Sequence, residues 1–437
     1  MKKIILILVL LLAGISYSQE TQTTLKVYGK NLKTVLWQDV VLRGINYPII
    51  DDGNISLSNA SQYQHKIDQA AMTGANCIRI PWYTDGQHWR DQMAPGTING
   101  YVNNGHLSNI TAYCIQKGMI PILEIHDPGN ITCSNNWTYF NTTVSNWWKS
   151  QQILDLIEEN KEYLIINLAN EFGYANWTGN SAQALQVFKT NYNTLISTLR
   201  GLGVKVPIMV DAPDCGQSST ELLSIAGSMV NADPEHNLIF SAHAYWYSYA
   251  NTQAAVENKL DYAQNTNVCF VLGEVANRQD DNSCGQLNLS NLYPIILQEA
   301  CDRGIGWLAW TYDQDCSAPR ELTTNGEFNT LTAFGNDIVY NTNYGLIGGS
   351  CNATSILTAV TSQAADVILY PNPVENILNI KFSGSLSEII VYDMIGKPVV
   401  YAKNTEILNL SLLPPGVYVL NATSVDGKNY KNKIVKK

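Results

Sequence analysis

The chain has little basic charge and few of the motifs that bind metals or nucleotides. Its 437 residues include 27 Lys and Arg against 37 Asp and Glu, an acidic balance that argues against nucleic-acid binding. No two cysteines have the Cys-x-x-Cys spacing of a zinc site, and residues 43–48 are not the Gly-rich phosphate loop of a dinucleotide-binding fold. After residue 18 no apolar run reaches the ~20 residues that cross a bilayer. The sequence therefore predicts no nucleic-acid partner, no metal or other cofactor, and no membrane span in the mature chain.

The first 18 residues have the pattern of a removable secretory signal peptide. Met1-Lys2-Lys3 is a short basic head, residues 4–12 are apolar, and Ser16-Tyr17-Ser18 is a small-x-small cleavage pattern. The alternative is a buried N-terminal helix. Export would place the chain in an oxidising compartment, where disulfides form.

Nine cysteines are then candidates for disulfide bonds. Four follow predicted strands, in loops that one face of a barrel would bring together: Cys133, Cys215, Cys284 and Cys316. Spacing alone assigns no pairing among them. Four others lie in apolar strand or helix patterns and are expected to be buried, unreactive thiols: Cys77, Cys114, Cys269 and Cys301.

Eight short apolar segments alternate with helical patterns through the first 345 residues. The segments are residues 40–48, 76–82, 119–127, 164–171, 207–212, 238–245, 269–275 and 306–312. Between them apolar residues recur at helical spacing, often after Asn, Thr or Ser. Strands that alternate with helices pair in parallel, so we expect an α/β fold in which residues 19–345 form a closed (β/α)8 TIM barrel. A doubly wound open sheet is the structural alternative.

The residues after 345 differ in composition and charge. Residues 346–366 are poor in charge and rich in Gly, Ser and Thr, which predicts a linker. Residues 367–437 contain short β-rich runs without helical periodicity, which predicts a small all-β sandwich domain. This segment has eight Lys and five acidic residues, net +3, whereas residues 19–366 have 17 basic and 32 acidic residues, net −15. The acidic main body fits a neutral or cationic substrate better than an acidic polymer.

Two glutamates occupy matching places at the ends of two apolar segments. Glu171 closes the fourth segment, and Glu274 lies near the end of the seventh. Because the strands of a parallel barrel end at one mouth, both carboxylates would face one cleft. Hydrolysis of a glycosidic bond with retention needs two carboxyl groups about 5 to 5.5 Å apart, one as acid and one as nucleophile. We expect burial to raise the pKa of Glu171, the acid, and Arg79 with a tyrosine hydroxyl to keep Glu274 ionised.

Other polar and aromatic residues gather at the ends of the remaining segments. Each of them alone would also fit a structural role, but together they suggest a substrate cleft: Arg79, His126, Asp127, His243, Tyr245 and Trp310. Aromatic rings that stack on the apolar faces of sugars would line such a cleft. Five aromatic residues close to segment ends are candidates for sugar subsites: Trp82, Trp137, Trp177, Trp246 and Tyr247.

Residues 26–345 resemble glycoside hydrolase family five, and most closely its bacterial β-mannanases. The segments that carry the resemblance lie in all eight predicted strands, among them Leu42-Arg43-Gly44-Ile45-Asn46, Asn167-Leu168-Ala169-Asn170-Glu171 and Leu272-Gly273-Glu274. The resemblance implies a (β/α)8 barrel that needs no metal or other cofactor.

The resemblance also implies a role for each matching residue. Glu171 would be the acid/base, Glu274 the nucleophile, and Asn170 the partner of the substrate 2-hydroxyl. Arg79 and Tyr245 would orient Glu274. The residues implied to line the cleavage subsite are His126, His243 and the stacking platform Trp310.

The implied function is that of a secreted, retaining, endo-acting glycoside hydrolase that cleaves β-1,4 linkages of a neutral polysaccharide. The first hypothesis is a mannan endo-1,4-β-mannosidase, and the alternative is an endo-β-1,4-glucanase (cellulase). Two departures from the family pattern bear on this choice. Phe172 stands where the family usually has Pro, and residues 311–315, Thr-Tyr-Asp-Gln-Asp, stand where the mannanases have Ser-Trp-Lys-Gly-Asn.

Residues 367–437 resemble the type nine secretion sorting domain of the Bacteroidetes. The resemblance rests on Leu369-Tyr370-Pro371-Asn372-Pro373, on Val391-Tyr392-Asp393-Met394-Ile395-Gly396-Lys397 and on the basic end of the chain. It implies the outer-membrane secretion machinery as a partner, and a protein that is secreted or held at the cell surface after export through the outer membrane. A fibronectin-like spacer or a carbohydrate-binding module is the alternative.

Two hypotheses of other classes are also considered. A metal-dependent barrel hydrolase would use His126, Asp127, His243 and Glu274 as ligands, although the early His-x-His pair of many such barrels is missing. A non-catalytic glycan-binding protein on a degenerate barrel would account for Phe172 and for the altered residues after Trp310.

Overall fold

The computed structural model of the chain describes residues 22–35, 37–49, 59–84, 95–351, 367–382, 385–393, 397–403, 405–425 and 429–437. The predicted signal peptide, residues 1–18, lies outside the described residues. Residues 352–366 of the predicted linker also lie outside them.

Eight parallel strands close into a barrel, as the sequence predicts. The strands are β1 (Arg43–Asn46), β2 (Cys77–Trp82), β3 (Ile120–Ile125), β4 (Ile165–Asn167), β5 (Ile208–Asp211), β6 (Leu238–His243), β7 (Cys269–Val275) and β8 (Gly306–Ala309). Each pairs with its neighbours in sequence, and β8 closes the barrel by pairing Trp307 with Arg43 of β1. The (β/α)8 fold is confirmed.

Helices surround the barrel and return the chain from the end of each strand to the start of the next. They are α1 (Ala60–Ala71), α2 (Pro95–Asn103), α3 (His106–Gln116), α4 (Gln151–Asn160), α5 (Ser181–Gly201), α6 (Ser219–Ala232), α7 (Gln253–Asn265), α8 (Tyr293–Asp302) and α9 (Ala333–Tyr340). Short helical turns precede α4 at Trp137–Tyr139, Phe140–Val144 and Ser145–Trp148. The Asn180 and Thr252 side chains cap α5 and α7 by accepting hydrogen bonds from the Gln183 and Ala255 amides.

The strands read as continuous apolar runs because both of their faces are buried. Successive side chains point to opposite faces, so Cys77 packs inside the barrel while Ile78 packs under the helices, and Ile122 and Leu123 divide in the same way. Full burial of one such aliphatic side chain contributes roughly 1.5 to 3 kcal/mol. One apolar layer inside the barrel and another between the strands and the helices thereby stabilise the barrel that carries the loops.

A small antiparallel ladder lies against the N-terminal ends of the barrel strands. It is formed by Lys26–Tyr28, Asn31–Lys33 and Asp39–Val40. The Val27 amide donates to Asn237 Oδ1 (2.8 Å), one residue before β6. This end of the barrel is therefore covered, and the opposite mouth carries the polar residues.

The chain stays attached to the barrel as far as residue 351. The Leu346 and Ile347 amides donate to carbonyls of α9, and the Arg43 guanidinium donates to the Gly345 carbonyl (2.7 Å) and the Cys351 carbonyl (2.9 Å). Residues 346–351, which the sequence assigns to the linker, are thus held by the barrel in the structure.

Three disulfides are present in the described part of the chain: Cys133–Cys215, Cys284–Cys316 and Cys301–Cys351. Cys77, Cys114 and Cys269 are buried free thiols, as expected. The expectation for Cys301 is wrong. This residue lies in the last turn of α8 with its side chain half-buried, so it reaches Cys351 instead of the core.

The C-terminal residues form two antiparallel sheets, in agreement with the predicted all-β domain. The strands are β9 (Val367–Tyr370), β10 (Ile377–Phe382), β11 (Leu386–Tyr392), β12 (Pro398–Ala402), β13 (Ile407–Asn409), β14 (Gly416–Ser424) and β15 (Asn429–Lys436). One sheet has the order β9-β10-β13 and the other β12-β11-β14-β15. Side chains along β14 alternate between half-buried and buried, and residues such as Leu378, Ile389 and Leu420 form the core of the domain.

In the described part of the chain, no helix combines the length and the apolar character that crossing a membrane requires.

Candidate active site

The polar residues singled out in the sequence meet at the C-terminal mouth of the barrel. Arg79 lies in β2 and Glu274 in β7, while Glu171 follows β4 and His243 ends β6. The pairing of β7 with both neighbours is irregular on either side of Gly273. A Cβ atom on Gly273 would lie 2.3 Å from Ser241 Oγ, so only glycine permits this close approach. The irregularity places Glu274 beside His243 at the mouth.

Glu274 is held by a cation and a hydroxyl. Arg79 Nη1 donates to Oε1 (2.8 Å), and the Tyr245 hydroxyl donates to Oε2 (2.7 Å). Arg79 is itself completely buried, and its remaining N–H groups donate to surrounding oxygens of Asn46, Asn167, Asn170 and Asp211. The guanidinium is therefore fixed on all sides, and it fixes the Glu274 carboxylate in turn.

Glu171 has different neighbours. Its Oε1 lies 2.7 Å from His243 Nδ1, its Oε2 lies 3.1 Å from Cys133 Sγ, and its backbone amide donates to Asp211 Oδ2 (3.3 Å). The Glu171 backbone has a left-handed φ of 49°, a conformation rare for residues other than glycine. Among the described residues, no cation contacts this carboxyl group as Arg79 contacts Glu274.

The two carboxyl groups differ in proton affinity because of these surroundings. Burial, followed by the negative charges of Glu274 and Asp211, raises the pKa of Glu171 well above its ordinary value. Burial also raises the pKa of Glu274, but Arg79 and the Tyr245 hydroxyl oppose this, and the pKa is about 7. Burial lowers the pKa of His243 well below its ordinary value, so its imidazole is neutral. At neutral pH the proton of the pair resides on Glu171.

Both carboxyl groups open into one cleft. Oxygen atoms of Glu171 and Glu274 and a ring nitrogen of His243 all lie within 4.8 Å of one another. The cleft has a volume of about 390 Å³, and its lining includes His126, Asn170, Tyr245 and Trp310. The structure thus brings both glutamates together with Arg79, His126, Asn170, His243, Tyr245 and Trp310.

An aromatic and amide wall flanks the carboxyl pair. The His126 ring stacks on Trp310 with centroids 5.3 Å apart and planes 15° apart, and His126 Nδ1 lies 2.8 Å from Glu124 Oε1. Asn170 Oδ1 accepts from Arg79 (2.7 Å), and its amide group donates to Thr132 Oγ1 (3.1 Å). Flat apolar rings beside fixed hydrogen-bonding groups match the faces and hydroxyls of a sugar ring.

The structure corrects part of the aromatic subsite prediction. Trp82 and Trp246 are completely buried and contribute to the core. Trp137 packs edge-on against Phe172, with centroids 4.8 Å apart. Trp177 is 51% exposed and lines the cleft, and Tyr247 is 44% exposed. The sequence near a strand end does not show whether a tryptophan ring points into the core or into the cleft. Only the burial of each ring in the structure distinguishes the two positions.

The two departures from the family pattern have structural explanations. Phe172 is completely buried and stacks on Phe140 with centroids 5.0 Å apart, so it adds to the packing beneath the acid. The Asp315 carboxylate pairs with the Arg320 guanidinium, which also donates to Asp280 (2.9 Å). Asp313, which stands where the mannanases have Lys, is buried, and its Oδ2 accepts a hydrogen bond from the Gln314 side-chain amide (3.3 Å).

Several residues of the site carried no signal strong enough to be proposed from sequence. Asp211 ends β5 inside a matching segment and contacts Arg79, Glu171 and His243. Arg320 lines the cleft from a loop that has no strand or motif beside it. The position of Asp211 at a strand end was available from the sequence, whereas the position of Arg320 depends on how the loop folds.

The ligand set of the metal-hydrolase hypothesis is not assembled among the described residues. The Asp127 carboxylate accepts hydrogen bonds from the Thr84 amide (2.5 Å) and the Tyr139 hydroxyl (2.9 Å). Glu171, His243 and Glu274 do lie close enough to surround a cation. However, the Arg79 guanidinium already contacts Glu274 Oε1, and its positive charge disfavours a second cation there.

Comparisons with known proteins identify the families of both parts of the chain. Residues 38–315 match the model of cellulase, glycosyl hydrolase family 5, and residues 368–437 match the model of the secretion system C-terminal sorting domain. A mannan endo-1,4-β-mannosidase of Salipaludibacillus agaradhaerens is 27% identical over 316 residues, which are 72% of this chain and 90% of that protein. The mannan endo-1,4-β-mannosidase of Streptomyces lividans is 27% identical over 313 residues, which are 66% of this chain and 71% of that protein.

Two further proteins extend the comparison. A β-mannanase/endoglucanase A of Caldicellulosiruptor saccharolyticus is 27% identical over 291 residues, 62% of this chain but 20% of that protein. The structure of the Thermomonospora fusca β-mannanase in complex with mannohexaose superposes with a TM-score of 0.59 at 19% identity, covering 77% of this chain and all of that chain. The second likeness supports the fold alone.

Proposed function

Because the chain belongs to glycosyl hydrolase family 5, we propose that it is a retaining endo-β-1,4-mannosidase in which Glu274 is the nucleophile and Glu171 the acid/base. The observation that carries the proposal is the placement of two carboxyl oxygens within 4.8 Å in one cleft, with Arg79 and Tyr245 holding Glu274 and no such cation on Glu171 among the described residues. Retaining glycosidases need such a short separation, since no water molecule stands between nucleophile and sugar in the first step.

In the first step the ionised Glu274 attacks the anomeric carbon while Glu171 gives its proton to the leaving oxygen. Glu274 is aimed by Arg79 and Tyr245, which hold both of its oxygens. A covalent glycosyl-enzyme forms, and the charge of the Glu274 carboxylate is lost. Glu171 then has a weaker negative charge beside it, its pKa falls, and it acts as base toward water in the second step.

The neutral His243 allows Glu171 to act as an acid in the first step and as a base in the second. Its Nδ1 lies 2.7 Å from Oε1, and a charged imidazolium there would stabilise the carboxylate and remove the acid. The Asn170 side chain, held by Arg79, would bind the sugar 2-hydroxyl, and Trp310 would stack on the sugar ring in the cleavage subsite. Trp177 would support the polysaccharide further along the cleft.

Mannan is the proposed backbone because two of the relatives that cover most of this chain are mannosidases by name. An endo-β-1,4-glucanase on the same site is the second candidate, favoured by the relative whose name includes both activities.

A substrate panel tests the proposal. Purified enzyme acting on galactomannan, glucomannan, carboxymethylcellulose, xylan and lichenan should release reducing ends fastest from the mannans, with β-configured products at early times. Faster release from carboxymethylcellulose would favour the glucanase. Release of reducing ends from none of these polymers would reject the proposed function.

The pH dependence of kcat/KM is expected to be bell-shaped. Glu274 must be ionised, so activity falls as pH drops through the pKa of about 7. Glu171 must be protonated, so activity falls again as pH rises through its elevated pKa. Initial rates measured on galactomannan across pH about 4 to 11 check both limbs. An acidic limb near the ordinary glutamate pKa of about 4.3 would contradict the effect of burial on Glu274.

The chain carries a secretion sorting domain at residues 368–437, which indicates type nine secretion to the cell surface or the medium. We propose that this domain engages the outer-membrane secretion machinery and that residues 1–18 are removed on the way. An enzyme for polysaccharides too large to enter a cell needs such a location.

A further inference from the structure

We infer that the Cys133–Cys215 disulfide is a positioning element of the catalytic acid, so that the enzyme acquires its acid catalyst only when this disulfide has formed. The inference rests on the proposed role of Glu171. It adds to that role a covalent link which holds the acid in place.

The disulfide crosses directly over the strand end that carries Glu171. Cys133 follows β3, and Cys215 follows β5. Strand β4 lies between β3 and β5 in the barrel. A link from the third loop to the fifth must therefore arch over the end of β4, where Glu171 stands.

The disulfide contacts one oxygen of the acid directly and lies next to the residue that supports His243, the neighbour of the other oxygen. Cys133 Sγ lies 3.1 Å from Oε2. On the other side, Gly216, the neighbour of Cys215, accepts a hydrogen bond from the His243 amide (2.8 Å), and a Cβ atom on Gly216 would lie 2.7 Å from the His243 ring. His243 in turn contacts Oε1. Loss of the disulfide would therefore loosen Cys133 beside Oε2 and the support of His243 beside Oε1.

Hydrogen bonds around the disulfide join the same three loops. Tyr174 donates from its hydroxyl to the Cys133 carbonyl (2.7 Å), and the Gly173 amide donates to the Ser134 carbonyl (2.7 Å). The Asp214 carboxylate, next to Cys215, accepts from the Ala175 amide (2.8 Å). The loop that follows Glu171 is thus fastened to both halves of the disulfide.

The local backbone needs such fastening. Cys133, Glu171, Asp214 and Cys215 all have left-handed φ values, between 49° and 58°. Residues other than glycine hold this conformation at an energetic cost, and they keep it only where the surroundings enforce it. Four such residues in one contact network mark a region that a covalent link would keep in place.

The sulfur atoms also shape the electrostatics of the acid. The charged groups that act on Glu171 are Glu274, Asp211, Asp280 and Arg79, and the neutral His243 contacts it. None of these belongs to the disulfide. Cys133 Sγ lies 3.1 Å from Oε2, so removal of the link would open more of this oxygen to water and lower the pKa of Glu171 without changing any of those charges.

The test compares two double variants. Cys133→Ala/Cys215→Ala removes the proposed positioning link, and Cys301→Ala/Cys351→Ala removes a disulfide between α8 and the end of the barrel domain. Each is assayed on mannooligosaccharides, whose leaving groups need a proton, and on a dinitrophenyl mannobioside, whose leaving group does not. Circular dichroism and thermal unfolding report whether each variant folds.

The first variant should lose at least about tenfold in kcat on oligosaccharides, a typical scale for impaired acid catalysis. It should keep its rate of glycosylation on the dinitrophenyl substrate, and the basic limb of its pH profile should move to lower pH. The control variant should keep both rates and the basic limb. A folded Cys133→Ala/Cys215→Ala enzyme with the wild-type basic limb and wild-type ratio of the two rates would overturn the inference.

A second measurement covers the case in which the variant does not fold. Folded wild-type enzyme is treated with a phosphine reductant, the thiols are alkylated, and the alkylated positions are mapped by mass spectrometry over time. Loss of oligosaccharide hydrolysis should track alkylation of Cys133 and Cys215 and spare the dinitrophenyl substrate. Full activity on oligosaccharides after alkylation of Cys133 and Cys215 would also overturn the inference. Wild-type enzyme that cleaves no substrate at all would instead reject the proposed function.

Discussion

Replacement of Glu274 by Gln is expected to abolish turnover, with kcat on galactomannan reduced by roughly 10⁴-fold or more. The amide has nearly the shape of the carboxylate but does not attack an anomeric carbon. Arg79 keeps Asp211 and Glu124 as negative neighbours, so the barrel should fold and bind polysaccharide. Rates are measured by reducing-end release and binding by calorimetry with mannohexaose.

Glu158→Gln is the matched control for this variant, because Glu158 is exposed on α4 and pairs with Lys161 far from the mouth. It should have wild-type activity. Turnover by Glu274→Gln within tenfold of wild type would show that another group is the nucleophile.

Replacement of Glu171 by Ala should separate the two catalytic steps. On polysaccharide we expect kcat to fall by roughly 10²- to 10⁴-fold, the usual contribution of a general acid. A dinitrophenyl mannobioside needs no proton on its leaving group, so its first step should stay fast, and the glycosyl-enzyme should accumulate because the base for water is missing. Stopped-flow release of dinitrophenol should show a burst, and mass spectrometry should find the sugar on Glu274.

Azide provides the matching control for Glu171→Ala. A small anion that needs no base can occupy the space of the lost carboxyl group, so added azide should accelerate turnover of the dinitrophenyl substrate and yield a β-glycosyl azide. The wild-type enzyme should not respond to azide. An α-glycosyl azide would contradict a retaining mechanism, and equal loss of activity on both kinds of substrate would contradict the assignment of Glu171 as acid.

Much of the fold could be predicted from the sequence because it depends on short-range patterns. Alternating apolar runs and helical patterns gave all eight barrel strands in order, since a strand buried on both faces must be apolar throughout. The rule that parallel strands end at one mouth then placed Glu171 and Glu274 together although 102 residues separate them in the chain. The bounds of the strands were overestimated at their polar ends, where residues such as Asn170 already belong to loops.

The features that could not be predicted depend on side-chain direction and loop path. Trp82 ends a strand and Trp177 follows one, yet Trp82 is in the core and Trp177 is in the cleft. Cys301 has an apolar helical context like that of Cys114, but only Cys114 faces the core. The ion-pair partner of Asp315 is Arg320, five residues away, whose position follows from the folded loop.

The sequence by itself determined which residues are candidates for catalysis and at which end of the barrel they lie, because the apolar strand pattern and the parallel topology place the strand ends at one mouth. The tertiary structure alone decided how those residues differ from one another. Arg79 and Tyr245 contact Glu274, whereas Glu171 is bounded by a neutral imidazole and a disulfide sulfur. Proton affinity depends on charges and solvent within a few ångströms, and residues distant in sequence supply them only after the chain has folded.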